Sequence, residues 1–475
     1  MNSRRTKIVC TLGPAVDDKM TLTKLFKTGF DVARLNFSHG SHEEHGERMA
    51  MVRELNEKLG TNVAILLDTK GPEIRTGEAE GKVLLVKDRE VILTTREVIS
   101  SDKEISISYR KLPQEVSSGD VILLDDGLIE LEVLSASGQD IRCRIRNTGD
   151  LGSKKGVNLP KVNVNLPSIS EKDRQDIIFG MHENVDFIAL SFVRTAKDIL
   201  EAKKIIGMDN KKIQIIAKIE CELAVKNIDE IIEAADGVMI ARGDLGVEIP
   251  MKELPGIQKM IIQKARIAAK PAITATQMLD SMIRNPRPTR AEVSDIANSI
   301  IDGTDAIMLS GETASGSYPV ESLRTMNEIA KEIETHLKVL EPMHFKKLKK
   351  SESIVDLIAY STVDIGRKIN AKCLLIPTNS GATARRVSRH RPGIPIIALV
   401  DNDYLRKHLK LIWGVETINI QGKYEGTDEL ISKGEEELLK SRRFKKGDII
   451  IVTAGIPIKK PGTTNMIKVH HLGGE

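Results

Sequence analysis

The chain has 475 residues, too many for one ordinary core, so about two to four domains are expected, each able to bury an interior. Its 71 lysines and arginines against 67 aspartates and glutamates leave a formal charge of +4, and aromatics make up only 3 % of the chain, which excludes a nucleic-acid binder built on basic faces and stacked bases. Four cysteines, Cys10, Cys143, Cys221 and Cys373, stand far apart with no CxxC pair, which excludes a disulfide framework and a cysteine zinc site and suits a reducing cytoplasm. No stretch approaches the roughly 18 apolar residues of a membrane span. The apolar run in "MNSRRTKIVCTLGPAVDDK" is too short for a signal segment, so a soluble cytoplasmic protein is expected.

Along the chain, short runs rich in Ile and Val alternate with segments of helical periodicity. In order the runs are "KIVCTLG", "DVARLNF", "NVAILLD", "VDFIALSF", "IQIIAKIE", "DGVMIAR", "KPAITAT" and "DAIMLSG", eight in all. The second is followed by a helix with a capping box at Ser41 and Glu44 and a stop at Gly60; Thr289, Glu292 and Gly303 repeat the device before the eighth. Continuous apolar strands separated by helices predict a parallel sheet covered on both faces, and eight such units favour a (β/α)8 TIM barrel, with an open doubly wound sheet as the alternative. Neither GxGxxG nor GxxxxGK[ST] occurs, so the phosphate loops usual in open sheets are missing.

One interval breaks the alternation. Between the third and fourth runs, residues 71–160 read as short strands and turns, an inserted all-β domain on a βα loop and therefore placed to act as a lid. The expected division is 1–70 for the first part of the barrel, 71–160 for the lid, 161–342 for the second part and 343–475 for a C-terminal α/β domain, which opens after the basic stretch "HFKKLKKSES". Within that last domain, "CLLIPTNSGATARRVSRHRP" is a strand, a Ser/Thr/Gly loop and a helix carrying several arginines. It reads either as a phosphate-binding helix start or as a capped helix with a solvated basic face.

In a barrel the chemistry sits at the C-terminal strand ends. The sequence puts Arg34, Asn36, Ser38 and His39 after the second run, and Asp68, Thr69, Lys70, Glu73 and Arg75 after the third. Lys218 and Glu220 follow the fifth, Arg242, Gly243 and Asp244 the sixth, Thr276 and Gln277 the seventh, and Ser310 and Glu312 the eighth. Alternation along "IQIIAKIE" aims Ile216, Lys218 and Glu220 to one face and Ile215, Ala217 and Ile219 to the other. Two carboxylates, Glu220 and Asp244, without a His/Cys cluster suit Mg²⁺ or Mn²⁺ rather than zinc. With Arg34, Arg75 and Lys218 they would form a focused pocket for phosphate or carboxylate; a salt-bridge network closing the barrel end is the alternative.

These residues sit in long, ordered stretches: "TKIVCTLGPA", "ARLNFSHG", "LLDTKGPEIRTG", "GSKKGVNLP", "LSFVR", "IIAKIE", "MIARGDLGVEIP", "ATQMLDSMIRNPRPTRAEVSDIANSIIDGTDA" and "MLSGETASGSYP". Together they resemble the pyruvate kinase family over most of the first 330 residues, and more loosely beyond. The resemblance implies transfer of the phosphoryl group of phosphoenolpyruvate to ADP and protonation of the enolate to pyruvate. It implies that Glu220 and Asp244 hold the divalent ion, and that Lys218 and Arg34 neutralise the phosphoryl group. Gly243, Asp244 and Thr276 would seat the substrate carboxylate, with Thr276 also near the protonated face. It further implies K⁺ on Asn36, Ser38, Asp68 and Thr69, required because Glu73 is a glutamate and not a lysine. Nucleotide contacts would come from Asn36, His39, Arg75 and Lys154, and an effector phosphate would sit on Thr378, Ser380, Gly381 and Thr383. The expected assembly is a homotetramer with a phosphorylated allosteric effector.

Other functions compete. A metal-dependent lyase or aldolase would stabilise the same enolate without needing ADP or potassium. A Schiff-base aldolase on Lys218 conflicts with the flanking carboxylates, which would raise the lysine's pKa. A silent metabolite sensor should have lost Lys218 or a metal carboxylate, and neither is missing.

Overall fold

The structure, a computed structural model, describes residues 4–162, 164–208, 210–340, 353–420, 426–456 and 464–474. The expected boundary at 342/343 and the basic stretch up to residue 352 lie outside the described residues.

All eight apolar runs become strands, Lys7–Leu12, Val32–Asn36, Ala64–Asp68, Phe187–Leu190, Gln214–Ile219, Gly237–Ala241, Ala272–Ala275 and Ala306–Leu309. Each pairs in parallel with the next, and the eighth closes onto the first. The closed barrel removes the open-sheet alternative. Side-chain alternation divides its apolar residues as expected: Val9, Leu66, Phe187, Ile216, Met239 and Met308 fill the interior, whereas Ile215, Ala217 and Ile219 pack outward against the helices. The two capping boxes form as read, with Ser41 and Thr289 accepting from the backbone of Glu44 and Glu292, and Gly60 and Gly303 closing the helices in the left-handed region.

The insertion has a seven-stranded and a two-stranded sheet around its own core, and the expected all-β reading is corrected by a short helix, Leu112–Glu115, whose Leu112 joins that core. Its short strands Ile74–Arg75, Gly149–Leu151 and Gly156–Asn158 carry too few residues for an alternation to show. The first of these takes Arg75 away from the third barrel strand and into the lid, paired with Gly156. At the lid's root the chain runs so close to the fourth strand's loop that a Cβ on Gly71 would lie 2.7 Å from the Phe192 ring and 2.8 Å from Ser191 Cβ. With φ at +79° as well, that position needs glycine.

The C-terminal domain is a five-stranded sheet, four strands parallel and Thr464–His471 antiparallel at its edge. Its strand Val415–Asn419 escapes sequence reading because "VETIN" mixes Glu, Thr and Asn into the run. This domain closes the N-terminal end of the barrel. Leu411 enters the barrel's interior cluster, Lys7 Nζ donates to the Val415 carbonyl at 2.7 Å, and His408 meets the Lys212 carbonyl at 3.0 Å. No helix among the described residues is long and apolar enough to cross a membrane.

A carboxylate buried in this contact makes stability depend on pH. Asp186 accepts from the Ile65 amide at 2.8 Å and lies 3.7 Å from Lys407, yet burial outweighs both and pushes its pKa up to about 6. Because the folded value lies above the ordinary 3.8, this group's contribution is full below that pH and is lost as pH rises through about 6. Asp186→Asn should therefore flatten the dependence of the urea midpoint on pH between about 4 and 6. Equal slopes in the two proteins would discard the assignment.

Candidate active site

The fifth barrel strand brings Lys218 to the C-terminal rim with its ammonium enclosed. Nζ lies 2.9 Å from Glu220 Oε1 and 3.1 Å from Asp68 Oδ1, and donates to Ser191 Oγ at 2.6 Å. Asp68, wholly buried, also accepts from Arg34 Nε at 2.6 Å, so it couples the two cations. Burial alone would lower the lysine's pKa, but Asp68 and Glu220 outweigh it and hold the ammonium well above its usual range. Burial would likewise raise Asp68, and Lys218 and Arg34 reverse this and hold it below the usual carboxylate value. A lysine held protonated between two carboxylates is a poor Schiff-base nucleophile, which counts against that aldolase reading.

Glu220 and Asp244 are in the opposite condition. Burial and the proximity of Asp244 push Glu220 up to about 7 despite Lys218, and burial raises Asp244, to which Asp126 of the lid and Glu73 add repulsion. Glu220 Oε2 also accepts from the Phe192 amide at 2.6 Å. A buried Glu220 beside a half-buried Asp244, with the Lys218 ammonium as their near cation, leaves a net negative pair that fits a divalent cation. Among the described residues no group of three or more His, Cys, Asp or Glu side chains forms a metal cluster. An ion here would have two carboxylates and otherwise water or substrate oxygens, which is the donor set Mg²⁺ takes and zinc does not.

Beside them, Thr276 holds φ at +68°, an outlier for a β-branched residue, and Gln277 follows at +54°. Arg242 holds this backbone in place: Nε donates to the Ala275 carbonyl at 3.1 Å, Nη2 to the Thr276 carbonyl at 2.7 Å, and Nη1 meets Asp295 at 2.7 Å. The turn aims Thr276 Oγ1 at the Gly243 amide, which donates to it at 2.8 Å.

The remaining expected residues divide into near and far. Asn36 is in register with Asp68 on the neighbouring strand and accepts the Ser38 amide at 3.1 Å, while Thr69 Oγ1 accepts the Ser191 amide at 3.1 Å. Glu73 is paired with Arg75 at 2.7 Å and Lys70 at 3.7 Å. His39 is exposed at the rim, and Lys154 stands in the lid on Glu78 at 2.7 Å, its carbonyl accepting from Arg75 at 2.8 Å. Thr378, Ser380, Gly381 and Thr383 belong to the C-terminal domain, away from the rim. There Gly381 N donates to Thr378 Oγ1 at 3.0 Å, and Thr383 and Thr464 hydroxyls meet at 2.6 Å.

Sequence reading missed Ser191, whose hydroxyl joins Lys218 to the Thr69 carbonyl, and the Phe192 amide on Glu220. Nothing in "SFVR" distinguishes a bridging serine from a loop serine. An open cleft of about 580 Å³ lies between the outer helices Glu171–His182 and Ala196–Ile206 and contains none of these residues.

A closed (β/α)8 barrel with buried cations and paired carboxylates at its C-terminal rim, carrying an inserted β domain, is the architecture of a barrel enzyme. The sequence matches the family models for the pyruvate kinase barrel domain over residues 3–323 and the pyruvate kinase alpha/beta domain over residues 356–470. It is 50 % identical over 471 residues to the pyruvate kinase of Geobacillus stearothermophilus, covering 98 % of this chain and 80 % of that one. The Clostridium acetobutylicum pyruvate kinase is 46 % identical over 469 residues, covering 98 % and 99 %. The chain belongs to the pyruvate kinase family.

Proposed function

We propose that this protein transfers the phosphoryl group of phosphoenolpyruvate to ADP, giving ATP and pyruvate, and that it needs a divalent metal and potassium to do so. The observation that carries the reading is the enclosed Lys218 ammonium on Asp68, with Arg34 on the same carboxylate and Glu220 and Asp244 alongside. Lys218 and Arg34 supply fixed positive charge where the phosphoryl group passes, and in a site shielded from water such charge accounts for most of the catalysis in phosphoryl transfer. Glu220 and Asp244 would hold Mg²⁺ or Mn²⁺. When bound, that ion supplies Lewis-acid stabilisation of the enolate oxygen. The Gly243 amide and Thr276 hydroxyl, already 2.8 Å apart, would seat the substrate carboxylate together with the Asp244 backbone. Thr276, a poor acid alone, would deliver the final proton through water.

Oxygen donors on Asn36, Ser38, Asp68 and Thr69 would hold K⁺ beside this pocket, with Glu73 requiring the ion. Arg75 and Lys154, joined in the lid, would reach the phosphates of ADP as the lid closes, with Asn36 and His39 on the barrel side. The Thr378 to Thr383 loop would take a phosphorylated effector, the assembly would be a homotetramer, and the compartment the cytoplasm.

Pyruvate formation from phosphoenolpyruvate and ADP with Mg²⁺, in potassium against tetramethylammonium at equal ionic strength, tests the reading. Rapid turnover that needs both ADP and potassium is expected. Equal rates in the two salts would overturn the role given to Glu73, and no pyruvate even with sugar-phosphate and nucleotide activators would overturn the function.

A further inference from the structure

Where the C-terminal domain meets the barrel, a cavity is walled by Arg266, Lys270, Arg385, Arg389 and Arg391 with a single carboxylate, Asp305. That carboxylate is already engaged: Oδ1 accepts from Arg391 Nη1 at 3.1 Å and from the Trp413 amide at 3.3 Å, and Oδ2 from the Ala272 amide at 3.1 Å. Arg389 has its own partner in Asp356 at 3.0 Å. Lys270 spends its donors on three carbonyls, those of Ile232, Glu233 and Ala235, at 2.6 to 2.7 Å.

Arg385 differs. Its Nη1 reaches only the Ser380 carbonyl, at a long 3.5 Å, and its Nε and Nη2 are sealed from solvent without a hydrogen-bond partner. Arg391, 5 % exposed, leaves Nε equally unpartnered. Burial lowers the pKa of Arg385, and the carboxylate that acts against this, Asp236, is engaged with the Ile215 amide at 2.9 Å and Lys203 at 3.9 Å. Two sealed, idle donors on a half-buried guanidinium are costly unless something negative completes them.

Size decides what that is. The cavity offers about 10 Å³, the room of one water-sized body. A phosphate or sulfate, with four oxygens about a central atom, does not fit; a halide does. A water would satisfy donors but leave the charge uncompensated. We propose that this cavity is a chloride site, in which Arg385 Nε and Nη2 and Arg391 Nε bind one monatomic anion that ties the C-terminal domain to the barrel.

The test replaces chloride by bromide in crystals of the full chain and reads the anomalous signal. A peak within about 3.5 Å of Arg385 Nε or Nη2 is expected, and its loss in Arg385→Gln. In solution, with potassium and ionic strength held constant, chloride or bromide in place of gluconate should raise the melting midpoint of the wild type by about 1–3 °C and leave Arg385→Gln unmoved. Ordinary water density without an anomalous peak overturns the proposal. So does a peak without any halide-dependent shift, which would mark an adventitious ion only, or a shift produced by sulfate and phosphate and not by halides. Because no step reads turnover, failure here leaves the kinase reading untouched.

Discussion

Lys218→Ala should lower phosphoryl transfer from phosphoenolpyruvate to ADP by about 10³-fold or more while the protein stays folded. The ammonium is nearly enclosed, so neither water nor salt screens the charge it presents to the transferring group. Arg34 alone cannot replace it, being fixed to Asp68 and Thr11 on the other side of that carboxylate. Removing one partner of a buried ion pair costs roughly 3–5 kcal/mol when the other stays charged. Here Asp68 keeps Arg34, and Glu220, already pushed up to about 7, can take a proton, so the loss in melting temperature should be smaller than that figure implies.

Metal affinity separates lost chemistry from a collapsed site. With the competing ammonium gone, Mn²⁺ should bind Lys218→Ala at least as tightly as the wild type, read by electron paramagnetic resonance. Turnover near the wild-type rate in the folded variant would discard the role given to Lys218. Weak Mn²⁺ binding together with lost activity would instead mean that the ammonium holds the carboxylates in place.

How much of this is legible in sequence depends on the range of the signal. The barrel strands announce themselves because strands buried on both faces are continuous apolar runs, and polar residues at their ends stand out against that background. Lys218 and Glu220 are conspicuous for this reason, and their placement on the Ile216 face follows from alternation alone. The lid's two- and three-residue strands exist only through pairing with partners many positions away, and no local pattern records them. Arg242 is visible as a rim residue, but its grip on the strained Thr276 backbone depends on a turn that only the assembled sixth and seventh strands create. Ser191 is ordinary in sequence and central in space, and the charge excess around Arg385 needs two domains to exist at all. What sequence records is what a residue does to its own strand or helix; what it does to a distant neighbour has to be seen.

Glu220→Gln should trade function for stability. Gln keeps an oxygen for the Phe192 amide but is a poor ligand for a hard divalent cation, so Mn²⁺ affinity should fall by about 10²-fold or more, with pyruvate formation falling alongside. In the metal-free protein the effect on stability has the opposite sign. Glu220's folded pKa is raised from 4.5 to about 7, so its contribution is full below about pH 4.5 and is lost as pH rises through 7. The Gln variant suffers no such loss. Without metal it should melt at the same temperature as the wild type near pH 4.5 and above it at pH 8, by an amount equivalent to about 1–3 kcal/mol. Saturating Mg²⁺ should reverse the order at pH 8, because only the wild type gains RT ln(1 + [L]/Kd) from the ion. A metal-free gap that does not change with pH would show that Glu220 does not titrate in this range and would remove it as the source of the pH dependence. Undiminished Mn²⁺ binding in the variant would remove Glu220 from the metal site. The expected pattern, a carboxylate pair that costs stability until a cation arrives, is what distinguishes a metal site from a salt-bridge network closing this end of the barrel.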